Sequence, residues 1–320
     1  MPYPEMFEGY MIKDQSKWSD FEKKEFKPKK FEDRDIDIKI ECCGVCGSDV
    51  HTITGGWGEC PLPICVGHEV IGKAIKVGNK VTTVKVGDRV GVGAQIRACL
   101  ECKLCKADNE NYCPHMDAGP MMCAGLTVWS PLVRAKIGPG KKVAILGIGG
   151  LGHFGLLWAS ALGAEVYALS HSPNKKNDAL KLGAKEFICT KDKDWAKPWA
   201  YTFDFILNSA DMTNEFNIQE YMSTLNVNGE FHNVGLPDKP LPQMMAQDFA
   251  PNGAKMGGSH IGNRPEMLAM LKLASEKDIK PMIETLDISE KGCKEAVERV
   301  KVNDVRYRFT LTGYEKVFGK

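Results

Sequence analysis

The sequence has no excess of either charge. Lys and Arg number 42, Asp and Glu 41, and the net charge is +1. A nucleic-acid-binding chain would carry a strong positive balance, so that class is excluded as an expectation. The start, Met1-Pro2-Tyr3-Pro4-Glu5-Met6, shows neither a basic stretch nor an apolar one. A cytoplasmic chain with free thiols is therefore expected. Long uninterrupted apolar runs are also lacking. Residues 143–164 hold no Asp, Glu, Lys or Arg, yet six glycines break the run, at 147, 149, 150, 152, 155 and 163. Glycines clustered like this mark a strand, a tight turn and a helix and not a membrane span. No membrane association is expected.

Cysteine, by contrast, is plentiful, with 12 in 320 residues. In a chain read as cytoplasmic they point to metal or catalysis before disulfides. Cys99, Cys102, Cys105 and Cys113 form C-x2-C-x2-C-x7-C. Four thiolates this close fit one tetrahedral zinc, and the mostly polar residues between them give the lobe no core of its own. With all four positions cysteine, no coordination site stays open, so the ion would be structural. An iron–sulfur cluster, which also takes four thiolates, is the alternative. A second group is sparser: Cys46 in Gly44-Val45-Cys46-Gly47-Ser48-Asp49-Val50-His51, and His68 in Gly67-His68-Glu69. A catalytic zinc needs about three protein ligands, and this pair supplies two.

The chain changes texture along its length. Period-2 alternation begins at Asp35-Ile36-Asp37-Ile38-Lys39-Ile40, and short apolar runs between Gly, Asn and Pro continue to about 92, predicting a β-rich part. From 141 strands and helices alternate. Strands are predicted at 143–146, 166–169, 187–189, 203–207 and 229–235, helices at 151–162, 174–182 and 265–279, and a further strand at 305–312. That order implies a parallel, doubly wound sheet, hence an α/β fold of the Rossmann type beside a β-rich part. Gly147-Ile148-Gly149-Gly150-Leu151-Gly152 is G-x-G-x-x-G between a strand and a helix, the context in which the backbone accepts a pyrophosphate at a helix N-terminus. Selection of NAD would need a carboxylate about 20 residues on. The second strand ends instead in Ser170-His171-Ser172-Pro173-Asn174-Lys175, whose hydroxyls and cation suit a 2′-phosphate, so NADP(H) is expected.

Gly67-His68-Glu69-Val70-Ile71-Gly72 with Gly78 and Val81 matches G-H-E-x-x-G-x5-G-x2-V. With Gly87-Asp88-Arg89-Val90 and the four-cysteine lobe, it resembles the zinc-dependent medium-chain alcohol dehydrogenases. Gly258-Ser259-His260-Ile261-Gly262-Asn263-Arg264 and Asn303-Asp304-Val305-Arg306-Tyr307-Arg308-Phe309-Thr310 resemble the cinnamyl alcohol dehydrogenase branch. The resemblance implies a GroES-like catalytic domain of residues 1–122 and 263–320 and a Rossmann NADP-binding domain of residues 123–262. It implies two zinc ions per chain, NADP(H), a small aldehyde or alcohol as substrate, and a homodimer. By the same resemblance Cys123 is the third ligand of the catalytic zinc, Glu69 lies beside that metal, and Asp49 orients His68. Ser48 would donate a proton, with His51 relaying it, and Trp57 would line the pocket. Ser48, Thr127, Ser209, Gly235, Ser259, His260, Ile261 and Arg308 would join the glycine turn and the 170–175 segment along the cofactor path.

The sequence departs from the family in one place. Only nine residues, Pro114 to Met122, separate Cys113 from Cys123. The family carries roughly forty residues more near 117/118, enough for several strands of about 5–6 residues. A chain truly lacking them is expected to leave strand edges unpaired and to make Cys123 a hard reach for the catalytic zinc. Two alternatives follow: a catalytically dead, internally deleted zinc-binding relative, and an NAD-dependent polyol dehydrogenase of the same fold.

Overall fold

The alternation that begins at Ile36 becomes the strand Ile36–Val45, the middle of a five-stranded sheet. In order, that sheet runs Ile283–Asp287, Arg308–Thr312, Ile36–Val45, Glu69–Val77 and Arg89–Val92. All pairs are antiparallel except the first. Its register sets Gly44 opposite Glu69 on one side and opposite Thr310 on the other. Three sequence-distant motifs therefore meet at one end of one strand. The computed structural model describes residues 4–115, 117–118, 123–212 and 216–319. Within the connection from 114 to 122, residues 116 and 119–122 lie outside the described residues.

Two compact units emerge. The first contains residues 1–98, 115–123 and 283–320, the second residues 99–114 and 124–282. In the first, the helices Gly47–Thr54 and Glu290–Lys301 cover the sheet. Val50 and Ile53 from one, and Cys293, Ala296 and Val297 from the other, pack on Val45, Phe309 and Leu311. Each large side chain fully withdrawn from water here contributes about 1.5–3 kcal/mol. Gln95–Arg97 pairs with Asp117–Ala118 in a small ladder of its own.

The second unit is built on six parallel strands. They run Glu186–Cys189, Glu165–Ser170, Lys142–Leu146, Phe203–Asn208, Leu225–Asn233 and Lys255–Gly258. Counted within the unit this is the order 3-2-1-4-5-6 of a dinucleotide-binding sheet, which takes its ligand at the carboxyl ends where the order reverses. Strands buried on both faces read as apolar runs, and Val143, Ala144, Ile145 and Leu146 are all buried. The apolar stretch 143–164 is this strand, a turn and the helix Gly152–Ala161. Among the described residues no helix is long and apolar enough to cross a membrane.

The cysteine lobe, 99–114, and the helix Arg264–Glu276 fall in the second unit, whereas the resemblance drew both with the β-rich part. The reason is a set of side-chain bonds. The buried Asn111 donates to the His260 carbonyl at 2.8 Å, and Asn263 donates to the Asp108 carbonyl at 2.6 Å. Glu110 accepts from the Arg264 backbone N–H at 2.7 Å. Because Phe309 is fully buried at the centre of the first unit's core, Phe309→Ala is expected to cost about 3–5 kcal/mol in denaturant unfolding. A loss under 1 kcal/mol would contradict that packing.

Candidate active site

Cys46 closes the strand Ile36–Val45 and caps the helix Gly47–Thr54. Asp49, the third helical residue, turns back on it. The Cys46 N–H donates to Asp49 Oδ2 at 2.9 Å. An acidic group in the first turn also suits the positive end of the helix dipole. The other oxygen, Oδ1, meets His68 Nδ1 at 2.6 Å. Both residues are buried, and His68 Nε2 is left buried with no hydrogen bond. A buried ring nitrogen without a partner is costly unless something binds it. The ligand atoms of Cys46, His68 and Cys123 all lie within 4.8 Å of one another. Two thiols and an imidazole, with one ring nitrogen fixed from behind by a carboxylate, are the donor set of a zinc site that keeps an open position. The residues fit the ion. The short connection does not keep Cys123 from the pair, contrary to the reach expected of it.

The electrostatics agree. A hydrogen bond from the Cys123 thiol, helped by the charges of Arg308 and His68, holds the Cys46 thiol well below its usual range. Cys123, the donor of that bond and half-buried, moves the opposite way. Burial works against a charge on His68, but Asp49 outweighs it and raises the imidazole to about 10. A metal entering at neutral pH must therefore displace the protons on His68 and Cys123.

Glu69 sits beside this set without joining it. Its Oε1 accepts from the Cys123 N–H at 2.9 Å, and Oε2 is held by the buried Arg308 guanidinium. Arg308, expected along the cofactor path, is thus placed in an ion pair behind the metal ligands, where the Glu69 charge overrides the cost of burial and raises it further. The pair needs Gly44: a Cβ there would lie 2.1 Å from Glu69 Oε2. Ser48 Oγ is 3.7 Å from Cys46 Sγ. His51 stacks flat on Trp57, with ring centroids 4.8 Å apart and planes 9° from parallel. Trp57 is largely exposed.

In the second unit the four sulfurs of Cys99, Cys102, Cys105 and Cys113 also lie within 4.8 Å of one another. Three of the separations are 3.9, 3.6 and 3.6 Å. A tetrahedron with zinc–sulfur bonds of about 2.3 Å has edges of about 3.8 Å, so a single ion fits the lobe as it stands. A cluster that binds each thiolate to a different iron would hold the sulfurs farther apart. Backbone N–H groups of Glu101 and Cys102 lower Cys99 to about 6, readying one ligand as thiolate.

The glycine turn follows the first strand of the parallel sheet. At Gly152 a Cβ would stand 1.8 Å from the Gly147 carbonyl oxygen, so the turn closes only without a side chain. Ser209 donates to that same carbonyl at 2.8 Å, bracing the turn from the neighbouring strand's end. Lys175 donates to the Ile148 carbonyl at 2.7 Å, and burial lowers its pKa. Gly149, Gly150 and Leu151 complete the turn. Ser170, buried, accepts from the Ser172 N–H at 3.1 Å, while His171 is exposed. Thr127 is buried on the helix Cys123–Arg134, and the Gly235 carbonyl accepts from Asn233 at 2.8 Å. Ser259, His260 and Ile261 follow the last strand, Lys255–Gly258. Glu165, at the start of its strand, is held by Lys185 at 2.8 Å and by the Tyr167 hydroxyl. The Glu69–Arg308 pair and the grip of Lys175 on the turn escaped sequence reasoning. Neither partner's motif names the other.

Comparison with known proteins places this architecture. A family model for the alcohol dehydrogenase GroES-like domain matches residues 32–152, and one for zinc-binding dehydrogenases matches residues 150–276. The chain belongs to the zinc-dependent medium-chain alcohol dehydrogenases. Its likeness falls in their cinnamyl alcohol dehydrogenase-like branch. It is 41% identical to NADP-dependent alcohol dehydrogenase 6 of Saccharomyces cerevisiae, with 99% of each chain covered. It is 36% identical to NADP-dependent alcohol dehydrogenase C 1 of Mycolicibacterium smegmatis, over 87% of this chain and 90% of that one. A cinnamyl alcohol dehydrogenase structure from Sorghum bicolor superposes with TM-score 0.89 at 30% identity, covering 96% of this chain and 97% of that one. The alignment to the yeast protein runs 359 positions against the 320 residues here, so at least 39 positions have no counterpart in this chain.

Removing the charge behind the ligand tests the site. Asp49→Asn is expected to weaken zinc binding at the Cys46–His68–Cys123 set by about 10–100-fold in chelator competition, and to leave the four-cysteine ion in place. Equal weakening of both ions would show that Asp49 does not act through His68.

Proposed function

We propose that the chain is an NADP-dependent zinc alcohol dehydrogenase that works as an aldehyde reductase on aromatic and aliphatic aldehydes. The observation that carries this is the convergence of Cys46, His68 and Cys123 around a buried imidazole nitrogen with no hydrogen bond. Zinc bound there supplies a Lewis acid for a carbonyl oxygen, and NADPH supplies the hydride. The chain's own residues do the rest. Asp49 fixes the His68 tautomer so that Nε2 faces the ligand set. Glu69 and Arg308 hold the Cys123 backbone and place a balanced charge pair behind it. Reduction also consumes a proton. Ser48, beside Cys46, holds one at Oγ, and His51, three residues on and so on the same helix face, passes it from solvent.

On this reading the first unit carries the catalytic zinc and the second binds NADP(H). The glycine turn takes the pyrophosphate, and Ser170, His171, Ser172 and Lys175 meet the 2′-phosphate. The engagement of Glu165 by Lys185 and Tyr167 supports NADP over NAD, and so weighs against the polyol alternative. A homodimer and a cytoplasmic location complete the proposal.

Zinc-loaded protein is expected to oxidise NADPH with cinnamaldehyde and to prefer it strongly over NADH. His68→Ala is expected to lower the zinc content from two ions to one and to abolish the reaction. Two bound ions with no turnover across an aldehyde panel would favour the inactive relative. A preference for NADH would favour the polyol dehydrogenase.

A further inference from the structure

At the edge of the parallel sheet three side chains line up that neither zinc nor the glycine turn explains. Glu230 and His232 lie two apart on the strand Leu225–Asn233 and so share a face. His232 Nδ1 meets Glu230 Oε1 at 2.7 Å, and His232 Nε2 meets Ser259 Oγ at 3.0 Å. The next strand makes room for them. Gly257 pairs with His232, and a Cβ there would come within 3.2 Å of Glu230 Oε1 and 3.6 Å of His232 Nδ1. On the other side Phe205 stacks on the imidazole, with centroids 5.6 Å apart and planes 24° from parallel. The carboxylate accepts from Nδ1–H, which leaves Nε2 as acceptor for the serine proton. A base oriented by a carboxylate and bonded to a hydroxyl is the arrangement that activates a serine.

The backbone repeats the theme. Ser259 directly follows the parallel strand Lys255–Gly258, and the helix Arg264–Glu276 begins five residues later. Between them Ile261, a β-branched residue, is held at φ 58° in the left-handed region. Strand, serine, sharp turn and helix make the context of the G-x-S-x-G nucleophile elbow. Here Gly257 holds its first position, and the left-handed backbone falls two residues after the serine, at Ile261. Ser259 itself is half-buried.

We propose that Ser259, His232 and Glu230 form a nucleophilic serine site that takes activated acyl and phosphoryl esters, separate from the zinc chemistry. Ser259 Oγ attacks the carbonyl carbon or phosphorus, the bond to the leaving group breaks with its electron pair, and the serine proton passes to His232 Nε2 and on to the leaving group or to solvent. For an acyl ester, water then releases the acid by the same path in reverse. With a fluorophosphonate the Oγ–P bond forms, fluoride departs and the adduct stays.

The proposal goes beyond the dehydrogenase reading, since its failure would leave NADPH-linked reduction untouched. The zinc-loaded full chain, treated with a fluorophosphonate, is expected to carry one adduct per chain, mapped by mass to Ser259. His232→Gln is expected to slow labelling about 100-fold or more, with a smaller loss in Glu230→Gln. Should His232→Gln fail to fold, Glu230→Gln and the mapping on the native chain decide the matter. Absence of a Ser259 adduct in the native chain, or labelling at an unchanged rate in a folded variant, would overturn it.

Discussion

One hydrogen bond organises the first unit: the one between Asp49 and His68. Asp49 is fixed at the start of a helix because its other oxygen accepts the Cys46 N–H. One carboxylate thus joins the residue that ends a strand, the helix that follows it and the histidine of a separate motif. Buried without partners it would be costly, so each of the three depends on the others. The cost is offset by fixing His68 with Nε2 uncommitted, which is what a metal requires of an imidazole.

A second constraint acts through the sheet. Gly44, Glu69 and Arg308 come from three distant segments, and strand pairing brings them to one place. Glu69 then accepts from the Cys123 N–H, so the short 114–122 connection ends on a residue whose backbone is already held. The third ligand is thus in place in a chain whose alignment with its yeast relative runs at least 39 positions longer than the chain itself. The positions without counterpart have left the donor set in place.

Much of this was legible beforehand because the signals are local. The strand Lys142–Leu146, the turn after it and the helix Gly152–Ala161 follow from apolar periodicity and glycine placement within one window. The four-cysteine spacing carries its own geometry. Less legible were features that depend on distant segments. Nothing near Arg308 in the sequence says that it pairs with Glu69, and nothing near Lys175 says that it caps a carbonyl at Ile148. The helix Glu290–Lys301 did carry a local signal, with Ser289 capping it and Cys293, Ala296, Val297 and Val300 at helical spacing. The Glu230–His232–Ser259 alignment needed the register of two parallel strands, which no single segment encodes.

The central claim is that the chain holds two zinc ions in different surroundings, one all-sulfur and one mixed. Zinc-edge X-ray absorption on the loaded protein tests it most directly. The account predicts a scattering pattern that needs both sulfur and imidazole nitrogen, becoming purely sulfur when His68 is replaced by alanine. A spectrum fully described by sulfur in the unaltered protein would contradict it.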